Sequence, residues 1–100
     1  MADNIFQKDE IKKYMQTLKQ YVPIVDKVHG AHHPEFHEVR ALFNNLTDQS
    51  EKTGSDHPEL TDTFSKLREV TQNYTVPGDV CESYAAVYTM LAEIDKAYSA

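Results

Sequence analysis

The sequence predicts an all-α, up-down-up-down four-helix bundle formed by a single domain over residues 1–100. Apolar residues recur at three- and four-residue steps in four separate segments, the period that keeps one helix face inward. Between those segments stand the strongest turn residues, Gly30 with Pro34 and Pro77 with Gly78. The connections are short, which makes consecutive helices antiparallel neighbours.

The first helix is expected over approximately residues 6–29, with Ile11, Tyr14, Met15, Leu18, Tyr21, Val22, Val25 and Val28 on its inner face. Pro23 lies inside it and should kink it near Gln20, because proline removes a backbone donor and crowds the preceding turn. Gly30 then suits a left-handed cap. The second helix, approximately 34–51, carries Phe36, Val39, Leu42, Phe43 and Leu46, and starts at His33-Pro34-Glu35-Phe36. A polar loop over residues 50–56 separates it from the third helix, approximately 58–73, with its matching start His57-Pro58-Glu59-Leu60 and the stripe Leu60, Phe64, Leu67 and Val70. Proline suits the first helical position and glutamate the first turn. After Pro77-Gly78, Asp79 is placed to cap a fourth helix, approximately 79–98, bearing Val80, Tyr84, Val87, Tyr88, Leu91, Ile94 and Tyr98. Phe36, Leu42, Phe43, Leu46, Phe64, Leu67, Val87 and Leu91 should form one core.

A chain of 100 residues buries roughly 60 to 65% of its unfolded surface, enough for a modest core without metal or disulfides. A net charge of −6 and a pI near 5.2 argue against nucleic acid as a partner. The lysines of the first helix, Lys8, Lys12, Lys13 and Lys19, read as a solvated face. No apolar run approaches the roughly 20 residues that span a bilayer, so no membrane partner is expected. Cys81 is the only cysteine, which excludes an intramolecular disulfide, and no charged-then-apolar leader precedes the first helix. The expected compartment is the cytoplasm.

His29, His33 and His37 are spaced by four, a spacing at which imidazoles on one helix can share a metal. Gly30 and Pro34 interrupt that helix, so solvated or cap-positioned histidines compete with a loop-plus-helix metal site. Cys81 reads as a small buried apolar residue, or as a thiol near a helix N-terminus where its thiolate would be stabilised. The tyrosines Tyr14, Tyr21, Tyr74, Tyr84, Tyr88 and Tyr98 suit rings packed inward, or a face for self-association. No glycine-rich phosphate loop and no nucleophile motif is present, and no enzyme activity is expected.

Two stretches carry a resemblance. One is Val25-Asp26-Lys27-Val28-His29-Gly30-Ala31-His32-His33-Pro34-Glu35-Phe36, continuing through Val39 to Leu42-Phe43-Asn44-Asn45-Leu46. The other is Leu67-Arg68-Glu69-Val70-Thr71-Gln72-Asn73-Tyr74-Thr75-Val76-Pro77, followed by Cys81, Tyr84, Tyr88 and Leu91. Both resemble the Ric family, the repair-of-iron-centres proteins, which are hemerythrin-like di-iron bundles. The resemblance implies a hemerythrin-like fold, association with iron-sulfur cluster repair under oxidative or nitrosative stress, and iron as cofactor. In the family a ligand-bearing Glu-His pair opens the third bundle helix, ahead of a Thr-x-Asn-x-Thr-Pro-Pro-like turn. Asp56-His57 holds that spacing here, so the resemblance implies an iron-ligand role for His57; His33 and His37 are metal candidates by their own spacing alone.

The rest of the family's ligand set is missing. Glu10 to Lys19 contains no histidine, and Asn45 to Glu51 lacks the His-x-x-x-Glu and following Phe-Pro. Ile94 to Ala100 stops before the last His-x-x-x-Glu would begin. A scaffold that keeps the bundle without most ligands is therefore expected, a truncated form of the fold. The competing reading is a metal-free interaction module that pairs with itself or with a related protein. A homodimer would bring two copies of His57 and of the His29 to His37 segment together, with Tyr84, Tyr88 or Tyr98 under-covered in the single chain.

Overall fold

The computed structural model describes residues 6, 8–51 and 60–99. Its helices are α1 (Asp9–His29), α2 (Glu35–Glu51), α3 (Thr61–Thr71) and α4 (Glu82–Ser99), and no strand occurs among the described residues. The expected start of the third helix at Pro58-Glu59, and His57 with it, lies outside the described residues.

The helices pack as an elongated bundle with extents of 42 × 23 × 18 Å. α1 lies against both α4 and α2, and α2 lies against α3. The cross-links show alternating directions: His29 at the end of α1 meets Cys81 at the head of α4, and the Leu60 amide just before α3 donates to the Tyr98 hydroxyl near the end of α4 at 2.7 Å. Thr63 early in α3 donates to Asn45 late in α2 at 2.9 Å.

Helix periodicity places the core where expected. Phe36, Val39, Phe43 and Leu46 of α2 meet Phe64 and Leu67 of α3, Val87, Leu91 and Ile94 of α4, and Leu18, Val22 and Val25 of α1, all buried in one cluster. Leu42 also is buried, so every residue expected in the core is there. Full burial of one such side chain contributes about 1.5 to 3 kcal/mol relative to exposure.

Several local expectations need correction. Val28 is 61% exposed, because Asp26 and His29 take over the inward positions of the last turn of α1. Gly30 is not a left-handed cap: its φ and ψ of −58° and −28° are right-handed helical. Glycine is required there by close approach instead, since a Cβ would run into the Asp26 carbonyl and lie 2.6 Å from the His37 ring. α4 begins at Glu82, and the first bond at its head, Ala85 N–H to the Cys81 carbonyl at 3.1 Å, makes Cys81 rather than Asp79 the capping position. Cys81 is exposed and is not a core residue. Tyr84, Tyr88 and Tyr98 are buried within the single chain, at 0%, 1% and 8% exposure, so the under-covered inner face expected to drive dimerisation is absent at these rings.

The link from α3 to α4 holds the sharpest backbone feature. Gln72, Asn73 and Tyr74 follow one another with φ of 53°, 59° and 62°, three consecutive non-glycine residues in the left-handed region. Each costs roughly 1 to 2 kcal/mol against a right-handed conformation. The turn is held by Asn73 N–H to the Arg68 carbonyl at 2.7 Å, Thr75 N–H to the Thr71 carbonyl at 3.0 Å, and Tyr74 N–H to Thr71 Oγ1 at 2.8 Å. These bonds satisfy carbonyls that the end of α3 would leave unpaired.

Candidate functional site

His29, His33 and Glu35 from the first resembling stretch meet Cys81, Tyr84 and Tyr88 from the second, with Asp79 between, at one end of the bundle, where α1 ends, α2 begins and the turn leads into α4. Tyr84 stands at the centre. Its ring lies 5.5 Å edge-on from His29, 5.4 Å from His33, 5.0 Å from Phe36 and 4.9 Å from Tyr88, measured between centroids.

His33 bridges two elements. Its Nδ1 lies 3.0 Å from Glu35 Oε2 and its Nε2 3.2 Å from Asp79 Oδ1, so a carboxylate faces each ring nitrogen. Only the imidazolium donates from both nitrogens. The bond to Glu35, aided by the charges of Asp79 and Glu35 against desolvation, accordingly holds the His33 pKa above its ordinary value. Glu35 Oε2 also faces the Tyr84 hydroxyl at 3.5 Å, and that hydroxyl lies 3.1 Å from the Tyr88 hydroxyl. Burial, then the neighbouring Tyr88 hydroxyl and Glu35, push the Tyr84 phenol up, so it stays protonated. Glu35 and Tyr88 further line a cleft of about 460 Å3 whose other wall runs from Val70 through the left-handed turn to Pro77.

Beside this network, His29 Nε2 lies 3.1 Å from Cys81 Sγ. The two residues stand 52 positions apart in sequence and are joined only by the fold.

Of the candidate metal residues, the two that are described, His33 and His37, are each held by different carboxylates. His57 lies outside the described residues. His33 is engaged by Glu35 and Asp79, whereas His37 sits on α2 with its side chain 60% exposed and Nδ1 against Asp26. Arg40 donates to the other oxygen of Asp26 at 3.1 Å. Among the described residues no three His, Cys, Asp or Glu side chains gather as a metal-binding group. Among the described residues the two buried carboxylates are committed to guanidinium partners, Asp26 to Arg40 and Asp95 to Arg68, and the other buried side chains are apolar, tyrosine or threonine. The described donors therefore do not fit a di-iron centre, which draws four or more carboxylates and imidazoles inward from the facing helices.

Sequence reasoning missed the roles of Glu35 and Asp79, which read as helix-start residues, and the contact of Cys81 with His29, since Cys81 read as core or as a thiol near a helix N-terminus. The available signal was that all three fall in or beside the two resembling stretches. No helix among the described residues is long and apolar enough to cross a membrane. No protein-family model matches the chain, and no solved structure matches it significantly.

Proposed function

We propose that this chain is a Ric-like protein associated with iron-sulfur cluster repair under oxidative or nitrosative stress, in a reduced form that keeps the scaffold and few of the ligands. The observation that supports this reading is the meeting of the two resembling stretches: His29 and His33 from the first close on Cys81 and Asp79 beside the second, at 3.1 and 3.2 Å. Segments that resemble one family and also pack as one unit are expected of a retained scaffold. If iron binds, His57 is the ligand that the resemblance assigns; His33, engaged at both ring nitrogens, would have to give up a carboxylate to join it, whereas His37 could offer Nε2 and keep Asp26 on Nδ1.

The experiment is iron stoichiometry on freshly purified protein and after anaerobic loading with Fe(II). Together with it, a stress-damaged iron-sulfur enzyme is assayed for recovery with and without the chain. Recovery supports the repair reading whether or not iron is bound. No recovery and no bound iron would leave the second reading, a metal-free helical module that binds itself or a related protein.

A further inference from the structure

We infer that Cys81 and His29 form a nucleophile–base pair, and that Cys81 reacts with small-molecule disulfides by thiol–disulfide exchange. Cys81 is not an isolated thiol. Its sulfur faces a ring nitrogen at 3.1 Å, within hydrogen-bonding distance for sulfur, and the imidazole is set edge-on against the buried Tyr84 ring. That packing comes from the core side and aims Nε2 at the thiol.

Two further conditions for a reactive thiol are met. Cys81 occupies the capping position of α4, an 18-residue helix, where the positive end of the helix dipole favours a thiolate. It is also exposed, so a small reagent reaches Sγ without opening the bundle. A structural cysteine would be buried in apolar surroundings and inert.

In the reaction, His29 Nε2 takes the thiol proton and the Cys81 thiolate attacks one sulfur of the disulfide. The S–S bond of the reagent breaks as the Cys81 S–S bond forms, the leaving thiolate departs with the electron pair, and the proton on His29 passes to that thiolate where it is basic enough and otherwise to solvent. Cys81 is oxidised to a mixed disulfide and the other half of the reagent is reduced to a thiol. The chain has no second cysteine to resolve the adduct, so the modification persists until an external thiol reverses it. This inference is independent of iron binding and of the repair reading.

The test uses the full chain and Ellman's reagent, an aromatic disulfide, with the released thiol followed by absorbance from about pH 6 to pH 10. An ordinary thiol of pKa about 8.5 is only about 1% ionised at pH 6.5. Folded protein should react at least tenfold faster at that pH than the same protein unfolded in urea, and His29→Gln should lose most of the advantage. Near pH 10 the advantage of the folded protein should vanish or invert, because every thiol is then ionised and the less basic thiolate is the weaker nucleophile. Mass spectrometry should show one adduct, absent in Cys81→Ser. If folded protein is no faster than unfolded protein at pH 6.5, or if a helical His29→Gln keeps the native pH profile, the pairing is overturned. Should His29→Gln not fold, His29→Phe, which keeps an aromatic ring against Tyr84 and removes the base, takes its place.

Discussion

The Arg68 guanidinium and the Asp95 carboxylate meet in two parallel hydrogen bonds, Nε to Oδ2 at 2.7 Å and Nη2 to Oδ1 at 2.6 Å. Tyr74 donates its hydroxyl to Oδ2 at 2.7 Å and Ser99 donates to Oδ1 at 3.0 Å. Asp95 thus ties α3, the left-handed turn and the end of α4 to one point. Each strained residue of that turn is offset in part by this anchoring of Tyr74.

Asp95→Asn should lower stability at neutral pH by about 1.5 to 3 kcal/mol, the range for hydrogen bonds to a charged group, held down by the partial exposure of Arg68. Burial alone would raise the Asp95 carboxyl, but the bonds from Arg68, Tyr74 and Ser99 outweigh it and hold the pKa below the ordinary value. A depressed folded pKa means that the stabilisation is present above the unfolded pKa of about 3.9 and is lost as pH falls through the folded one. Urea titrations should therefore show the gap between native protein and Asp95→Asn narrowing below about pH 4. A gap that stays constant down to pH 2 would contradict the charge-based account.

Helix positions and the core were legible in the sequence because both depend on local periodicity. Phe36, Val39 and Phe43 of α2, and Phe64 and Leu67 of α3, recur at the three- and four-residue spacings of an inward helix face. The pairings His29–Cys81, His33–Asp79 and Arg68–Asp95 were not legible, since each joins residues that the folded bundle alone brings together. The turn at Gln72 to Tyr74 escaped for a different reason. Left-handed backbone is ordinarily signalled by glycine, and here Thr71, Arg68 and Asp95 hold non-glycine residues in it. The same limit explains Gly30, whose composition suggested a left-handed cap although the constraint was space beside Asp26 and His37.

His33 gives a second pH dependence, with the opposite sign. Its folded pKa is raised, first by the bond to Glu35, so its contribution is fully present below the unfolded value of about 6.5 and is lost as pH rises through the folded value. NMR titration should find the His33 ring ionising above an ordinary histidine, and Glu35→Gln should bring it down. The slope of stability against pH between about 6 and 8 should flatten in His33→Gln. A His33 ring that titrates at the ordinary histidine value of about 6.5 would rule out the bridge between Glu35 and Asp79.

Leu67 and Phe43 test the core directly. Both are essentially inaccessible, at 0% and 2% exposure, and both belong to the cluster shared by all four helices. Leu67→Ala should cost about 2 to 5 kcal/mol and Phe43→Ala about 3 to 5, through lost transfer energy and the cavity left behind. Denaturant unfolding with an unchanged slope would assign the loss to the native state. Substitutions costing less than about 1 kcal/mol would show that the packing around them is not the one described.

The fold should also stand without metal. Leu18, Phe36, Phe64, Leu67, Leu91 and Ile94 already close a continuous apolar cluster, and the two carboxylates buried among the described residues are paired with arginines rather than waiting for a cation. Metal-dependent folds differ in kind, because there the binding free energy is the folding free energy and chelators denature them. Thermal melts with excess chelator and after anaerobic Fe(II) loading should share one midpoint when followed by far-UV circular dichroism. A midpoint many degrees lower in chelator would mean that a bound ion supplies part of the folding energy. His57→Ala would then locate it: loss of the shift would place the ion at the residue the resemblance assigns, and retention would place it elsewhere.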